Sequence, residues 1–468
     1  MSEEDQSNPS YTIESAILKP YLPPNGDVGN TPSNSPQTDI GPLVTAIHIV
    51  QSVTDFSYMV KIKVTDTSNL LETLPIRAEE TLELNIKIKD TDEAISLKLF
   101  VYNIGNVAFT GQMTGTSFTL HCVSYTSWEA SKRRITAPWQ GKISEGAAFF
   151  FNDYFGKANK GDSEGLPYNA KKYDLINDPG KSFIVQDTEG VVDFIIPNYE
   201  PTAAMNFMAA RSYNSNTPSQ TFRFFERLDG FFFVTDEYFF KQSKDDKLNL
   251  FYALETEQGT DPELALKRID KMVIVSRGSN TADHLYSGAY YNRVVELDLV
   301  KGVMTTSTYD YLNDTKFIDS DGEIVKPENS PHSEQFIKDT FTPENSLDMI
   351  LFKDYASIGD IPGSIKGETF FSTIAQNRIA YHRHLNDVIL SIETKGRADI
   401  LPGKIIDLNI QMGSTQSGGE LNPQLNGRYV VTDTTHAFVD GQLTTAAKIK
   451  KLNWSGTDLE QDIEDVQQ

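Results

Sequence analysis

Cysteine is nearly missing from this chain: Cys122 is the only one in 468 residues. No intramolecular disulfide can form, and C-x-x-C redox motifs and Cys-rich zinc sites are excluded. Such usage fits a reducing compartment. Long apolar runs are missing as well. No stretch reaches the roughly 18 consecutive apolar residues that a membrane-crossing helix needs. The first residues, MSEEDQSNPS, carry neither a basic segment nor an apolar one, so no secretory leader is expected. Cations are scarce, with 42 Lys and Arg against 65 Asp and Glu, a formal charge of −23. Tight sequence-blind nucleic-acid binding needs clustered cations to neutralise phosphates, and this balance argues against it.

Catalytic signatures are absent too. There is no G-x-S-x-G elbow, no G-x-x-x-x-G-K-[ST] phosphate loop and no H-E-x-x-H helix. His382 and His384 in YHRHL are two apart, not at the i, i+4 spacing that chelates a metal from one helix face. They are expected to cap the helix or face solvent. His48, His121 and His436 each fall within a strand pattern, where an isolated imidazole is packed or exposed. DSDGE, Asp319 to Glu323, resembles part of a calcium loop but lacks its ligand spacing. Cys122 lies mid-strand in FTLHCVSY and reads as a buried, inert thiol. No catalytic, cofactor-binding or metal-ligating residue is assigned, no cofactor is expected, and the chain is not read as an enzyme.

What the sequence does contain is strand. Hydrophobic residues make up 39% of the chain, enough for sizeable cores. LELNIKIK alternates strictly: Leu82, Leu84, Ile86 and Ile88 share one face, and Glu83, Asn85, Lys87 and Lys89 the other. This period of two marks a half-buried antiparallel strand. The fold class read from such segments is mainly β or α+β, with two similar antiparallel β-barrel domains and interposed helical and loop segments. Residues 1–41 are polar and rich in Pro, Gly, Ser and Asn, and read as a flexible N-terminal arm. A first β-barrel is expected over 42–125 and a helical and loop connecting domain over 126–221. A second barrel combines 222–310 with 386–455. An acidic insertion plus a helix occupies 311–385, and 456–468 is an acidic tail. The Phe-rich hairpin around LDG, Phe222 to Phe233, is assigned to the second barrel.

Four stretches then carry a resemblance. They are VTAIHIVQSVTDFSYMVKIKVTDTSNLLETLPIRAEETLELNIKIKD; SYTSWEASKRRITAPWQGKISEGAAFFFNDYFG; IIPNYEPTAAMNFMAARSYN with FRFFERLDGFFFV; and STIAQNRIAYHRHLNDVILSIETKGRADILPGKIIDLNI followed by GRYVVTDTTHAFVDGQLTTAAKIKKLN. In order and pattern, across about residues 43–455, the chain resembles the central hub protein of the baseplate in T-even-like contractile-tailed phages. The hub part of type VI secretion spikes is a wider relative. Gly403, Gly427 and Gly441 sit where that pattern needs tight turns. The N-terminal arm and the inserts near 240–268 and 310–366 depart from it.

The resemblance implies a homotrimer. Each chain would contribute two similar barrels to a ring that joins a three-fold cell-puncturing spike below to a six-fold tail tube above. The implied partners are the tail spike, often carrying a lysozyme domain, the tube-initiating protein and the surrounding baseplate wedges. DNA would pass through the channel without specific binding, past walls of like charge, and no membrane is involved. The implied location is the baseplate of the virion tail, with synthesis in the host cytoplasm. The alternatives are a hub of another contractile injection or type VI secretion system, or a glycan-binding or glycan-degrading tail protein.

Overall fold

The computed structural model describes residues 10–19, 37–67, 70–73, 76–89, 94–110, 115–176, 178, 180–242, 248–252, 266–278, 280–299, 301–314, 317–318, 324–325, 334–345, 347–352, 370–410, 422 and 425–451. The segment DSDGE and the acidic C-terminal tail lie outside them. The described chain is mainly β. Its N-terminal strands are β1 (Tyr11–Lys19), β2 (Thr38–Asp39), β3 (Val44–Ser52), β4 (Met59–Asp66), β5 (Thr81–Ile88), β6 (Ala94–Thr110) and β7 (Gly115–Ser124). The middle holds β8 (Ile135–Gly141), β9 (Ala158–Lys160), β10 (Lys171–Leu175), β11 (Ser182–Val185), β12 (Val192–Tyr199), β13 (Phe222–Arg227) and β14 (Gly230–Thr235). After β15 (Leu248–Tyr252) and β16 (Lys271–Arg277) come β17 (Tyr291–Asp298), β18 (Val303–Asp310), β19 (Phe317–Ile318), β20 (Ile324–Val325) and β21 (Leu347–Phe352). The last strands are β22 (Val388–Lys395), β23 (Ile405–Ile410), β24 (Gly427–Val439) and β25 (Gln442–Lys451).

Two blocks share one strand plan. In the first, pairing runs β1-β5-β6-β7-β4-β3; in the second it runs β15-β23-β24-β25-β22-β16. Taken in chain order, each block's strands occupy the same places in the path. Even the irregularities agree. The register of β6 on β7 shifts between Val101 and Asn103, and that of β24 on β25 between Val431 and Asp433. One pairing differs in sense: β1 meets β5 antiparallel, whereas β15 meets β23 parallel. The alternation read from the sequence holds in detail, since Leu82, Leu84, Ile86 and Ile88 are all buried in the first core. Leu390, Ile392, Ile406, Leu408, Tyr429 and Ile449 belong to the second core.

The two blocks are continuous. β24 pairs with β23 through its first residues and then with β3 through Asp433 to Val439, opposite Ser52 to Ala46. This seam makes one 13-stranded sheet of the two blocks. The pairing path among the described residues runs from β16 to β2, and each block encloses its own hydrophobic core, in keeping with the mainly β fold class read from the sequence.

Strand membership departs from the sequence reading in three places. Tyr11–Lys19 is not a loose arm; it pairs with β5 along its length. YTIESAILK has its own alternation, which the Pro- and Gly-rich residues after it obscured. The Phe-rich hairpin β13–β14 does not join the second block. It forms a five-stranded sheet with β11, β10 and β9, in which β11 and β14 run parallel. All residues of β14 are buried, and strands covered on both faces read as continuous apolar runs, as GFFFVT does. That sheet packs against the helices Ile143–Tyr154 and Pro201–Arg211 through Phe151, Phe183, Met205, Met208, Phe224 and Phe231. Lastly, Tyr291–Asp310 lies in a small sheet, β18-β17-β21, inserted between β16 and β22, and so falls outside the second block.

Turn residues do what their chemistry allows. Lys404 N–H donates to Leu401 O at 3.0 Å, closing a turn over Pro402 and Gly403. Gly403 has φ +85°, the left-handed value that the third position of a type II turn requires. Asp440 and Gly441, both at positive φ, join β24 to β25, as expected of a two-residue hairpin loop.

Two predictions follow from this packing. A Cβ added at Gly230, φ +149°, would sit 2.1 Å from the Ser182 carbonyl oxygen in the neighbouring parallel strand. Gly230→Ala should therefore cost at least ~2 kcal/mol, read as a lowered urea midpoint. Gly156→Ala, where a Cβ meets nothing within 4 Å, should leave it nearly unchanged. The second concerns the seam. The His436 ring is fully buried with Nδ1 2.9 Å from Thr445 Oγ1, and burial pushes its pKa down from 6.5 to about 4. As pH falls through 6.5 the unfolded chain takes up this proton and the folded chain does not, so stability declines toward pH 4 and this loss then levels off. The contribution is on the order of 3 kcal/mol. His436→Gln should flatten the acid side of the stability profile measured by urea unfolding.

Candidate functional site

The residues singled out by sequence do not converge. Cys122 is buried in β7, and burial drives its thiol pKa upward, which leaves it unreactive. His48 and His121 are half-buried on separate strands, and His436 is inside the seam. The two histidines of YHRHL part company. His382 is half-buried, with its pKa lowered to about 4 by burial and by nearby Arg223. His384 is buried and turns toward Asp387.

Two clusters of buried polar groups emerge that the sequence did not reveal. The first joins the N-terminal block to the middle sheet. Glu226, in β13, is 1% exposed. Its carboxylate accepts hydrogen bonds from Ser57 Oγ at 2.7 Å, Ser124 Oγ at 2.5 Å and Ser127 Oγ at 2.7 Å. Lys181 stands nearby, 3.3 Å from Tyr58 Oη and 2.9 Å from Asp178 Oδ2. Burial raises the Glu226 pKa, while Lys181 and the three hydroxyls oppose that rise. A buried carboxylate with this many donors holds two layers in one orientation, because any sliding strands a charge. The second cluster is His284, His384 and Asp387, drawn from three segments.

Outside these clusters the chemistry is that of surfaces. β6 has 17 residues and its neighbour β5 only 8. Pairing with β5 ends at Phe100, with Val101 N–H still donating to Glu80 O, and beyond that point β6 pairs among the described residues with β7 alone, which leaves an open edge. Tyr102, Val107 and Phe109 on this overhang are 41%, 51% and 70% exposed. Gly105 lets the strand pass the His121 ring, whose Nε2 would lie 2.9 Å from a Cβ there. At the far end of the large sheet β16 pairs, among the described residues, only with β22, and it exposes Val273, Ile274 and Val275. Open apolar edges are templates for another strand.

The inserted sheet has a third such surface. Gln376, on the helix Phe370–His384, donates to Ser307 O at 3.0 Å and holds one face of the sheet. Across the other face the registers align Phe352 with Leu297 and Met304, and Ile350 with Val295. Phe352, Met304 and Ile350 are each more than 60% exposed. The Arg293–Asp348 ion pair borders this apolar face. Periodicity could not have found it, because LDMILF is apolar at five of its six positions and does not show which side the helix covers. No helix among the described residues is long and apolar enough to cross a membrane.

No family model and no curated protein matches the chain. Solved structures do align with it. A tail protein from Neisseria meningitidis aligns over 96% of this chain and 99% of its own length, at 9% identity and a TM-score of 0.47. The 43 kDa tail protein of prophage MuSo2 from Shewanella oneidensis aligns over 93% and 97%, at 8% identity and a TM-score of 0.47. A component of the type VI secretion system of E. coli, itself described as similar to T4 bacteriophage tail proteins, aligns over 88% and 74%, at 8% identity and a TM-score of 0.38.

Proposed function

We propose that this chain is a structural hub of a phage tail baseplate, assembling head-to-tail into a closed homotrimeric ring. The observation that carries the reading is the inequality of two equivalent edges. Inside the chain the overhanging half of β24 is paired with β3. In the duplicated plan β6 stands where β24 stands, and β16 where β3 stands. The overhang of β6 and the outer edge of β16 are thus the same donor and acceptor, left unused among the described residues. Pairing β6 of one copy with β16 of the next repeats the internal seam between chains. A contact between two different surfaces of one subunit is heterologous, and it closes into a ring when the rotation allows.

Three chains with two blocks each give six similar units around an axis. Such a ring presents three-fold symmetry to a spike and near-six-fold symmetry to a tube. The resemblance in sequence order supports that choice of copy number. The formal charge of −23 per chain supports a lumen past which DNA moves without sticking. The apolar outer face of the inserted sheet is then available to spike, tube-initiating or wedge proteins.

Light scattering on the full chain over a concentration series tests the assembly. The mass should be three times the chain mass of 52.4 kDa. Phe109→Asp and Val275→Asp place a charge on the open edges without touching a core, so each should shift the mass toward one chain with the circular dichroism unchanged. A trimer indifferent to both substitutions would refute the edge pairing. A chain that stays monomeric at every concentration and with a spike protein added would refute the ring.

A further inference from the structure

We propose that His284, His384 and Asp387 form a zinc site at the root of the inserted segment. The three side chains come from separate places. His284 lies in the helix Thr281–Ser287, His384 ends the helix Phe370–His384, and Asp387 immediately precedes β22. Their exposures are 2%, 7% and 2%. His284 Nε2 lies 3.0 Å from Asp387 Oδ1, and His384 Nδ1 lies 3.4 Å from Asp387 Oδ2. One ligand atom from each residue falls within 4.8 Å of the others. Zinc bonds of about 2.0–2.1 Å to nitrogen and oxygen in a tetrahedral site separate neighbouring ligand atoms by about 3.3 Å. The two imidazole–carboxylate distances bracket that spacing, each on its own oxygen of Asp387, and the set as a whole must draw in from 4.8 Å to close on an ion.

Proton placement favours an ion over hydrogen bonds alone. Without a metal, each imidazole must point an N–H at Asp387, which leaves its other nitrogen a bare acceptor. Those outer atoms, His284 Nδ1 and His384 Nε2, are buried and have no hydrogen-bond partner. With zinc bound, the inner nitrogens and a carboxylate oxygen become ligands, and both protons move to the outer nitrogens. Each imidazole then presents an N–H outward, the group through which an outer contact commonly orients a metal-bound imidazole. The proton count does not change.

Charge points the same way. The contacts described for the Asp387 carboxylate are the two imidazoles, with no Lys or Arg against it. The carboxylate is buried beside the rings of Tyr290 and Tyr311, which pack on His384, and a divalent cation would offset a charge held there. Imidazole with carboxylate is a donor set suited to zinc. The ion would tie the two ends of the insertion to β22 and so fix the inserted sheet relative to the second block.

The test uses the full chain without a histidine tag, stripped with chelator and dialysed, then titrated with zinc chloride alone. One equivalent should bind, the thermal midpoint should rise on binding, and cobalt in place of zinc should give the visible absorption of a four-coordinate site. Asp387→Asn and His284→Gln, each checked by circular dichroism, should weaken zinc binding by more than about 100-fold, beyond the loss expected from an outer contact. Should either variant fail to fold, the wild-type titration decides alone. No saturable zinc uptake by the wild-type chain, or uptake equal in both folded variants, overturns the site.

Discussion

Strand β24 serves three neighbours, and the rest of the molecule depends on that arrangement. Its first residues close the second block against β23, Tyr429 to Val439 pair with β25, and its last residues cross to β3. The bulge between Val431 and Asp433 is where it changes partner. A bulge adds twist and bends a strand, so one strand can belong to two blocks. The constraint is covalent as well as geometric. Seven backbone pairs unite segments almost four hundred residues apart, and the turn at Asp440–Gly441 places β25 against the same seam.

Duplication with one seam produces asymmetry. Two blocks of the same plan each carry an overhang and a receiving edge, and a single chain can satisfy only one pair internally. The apolar residues on the β6 overhang and on β16 are the remainder. Monomeric proteins usually blunt such edges with charge or cover them. Phe109 and Val275 stay exposed on these two edges, and they are what the proposed self-pairing would cover. The Glu226 cluster adds rigidity at the first block, since the middle sheet cannot slide without stranding its carboxylate or Lys181.

Strands with one covered face were legible in the sequence. LELNIKIK and the stretch from Tyr429 to Lys451 alternate because one side meets a core, and Pro402–Gly403 and Asp440–Gly441 announce their turns. Partnership was not legible. FRFFERLDGFFFV reads as a hairpin, but which sheet receives a hairpin depends on what lies beside it, and here that is β11 in parallel. YTIESAILK lost its signal to the polar residues that follow. The cluster of His284 with His384 and Asp387 was invisible because His284 lies a hundred residues from His384 and no spacing rule connects them. His384 was set aside when compared with His382, whereas its partner lay on another helix.

Hydrogen exchange resolved by mass spectrometry tests the role of the seam most directly. If β24 holds the two blocks as one body, amides of Thr434 to Val439 and of Ala46 to Ser52 should exchange only through global unfolding, with the same protection as the cores on either side. Exchange of β24 by local opening, while β4 and β7 stay protected, would show that the blocks are separate bodies and would contradict the account.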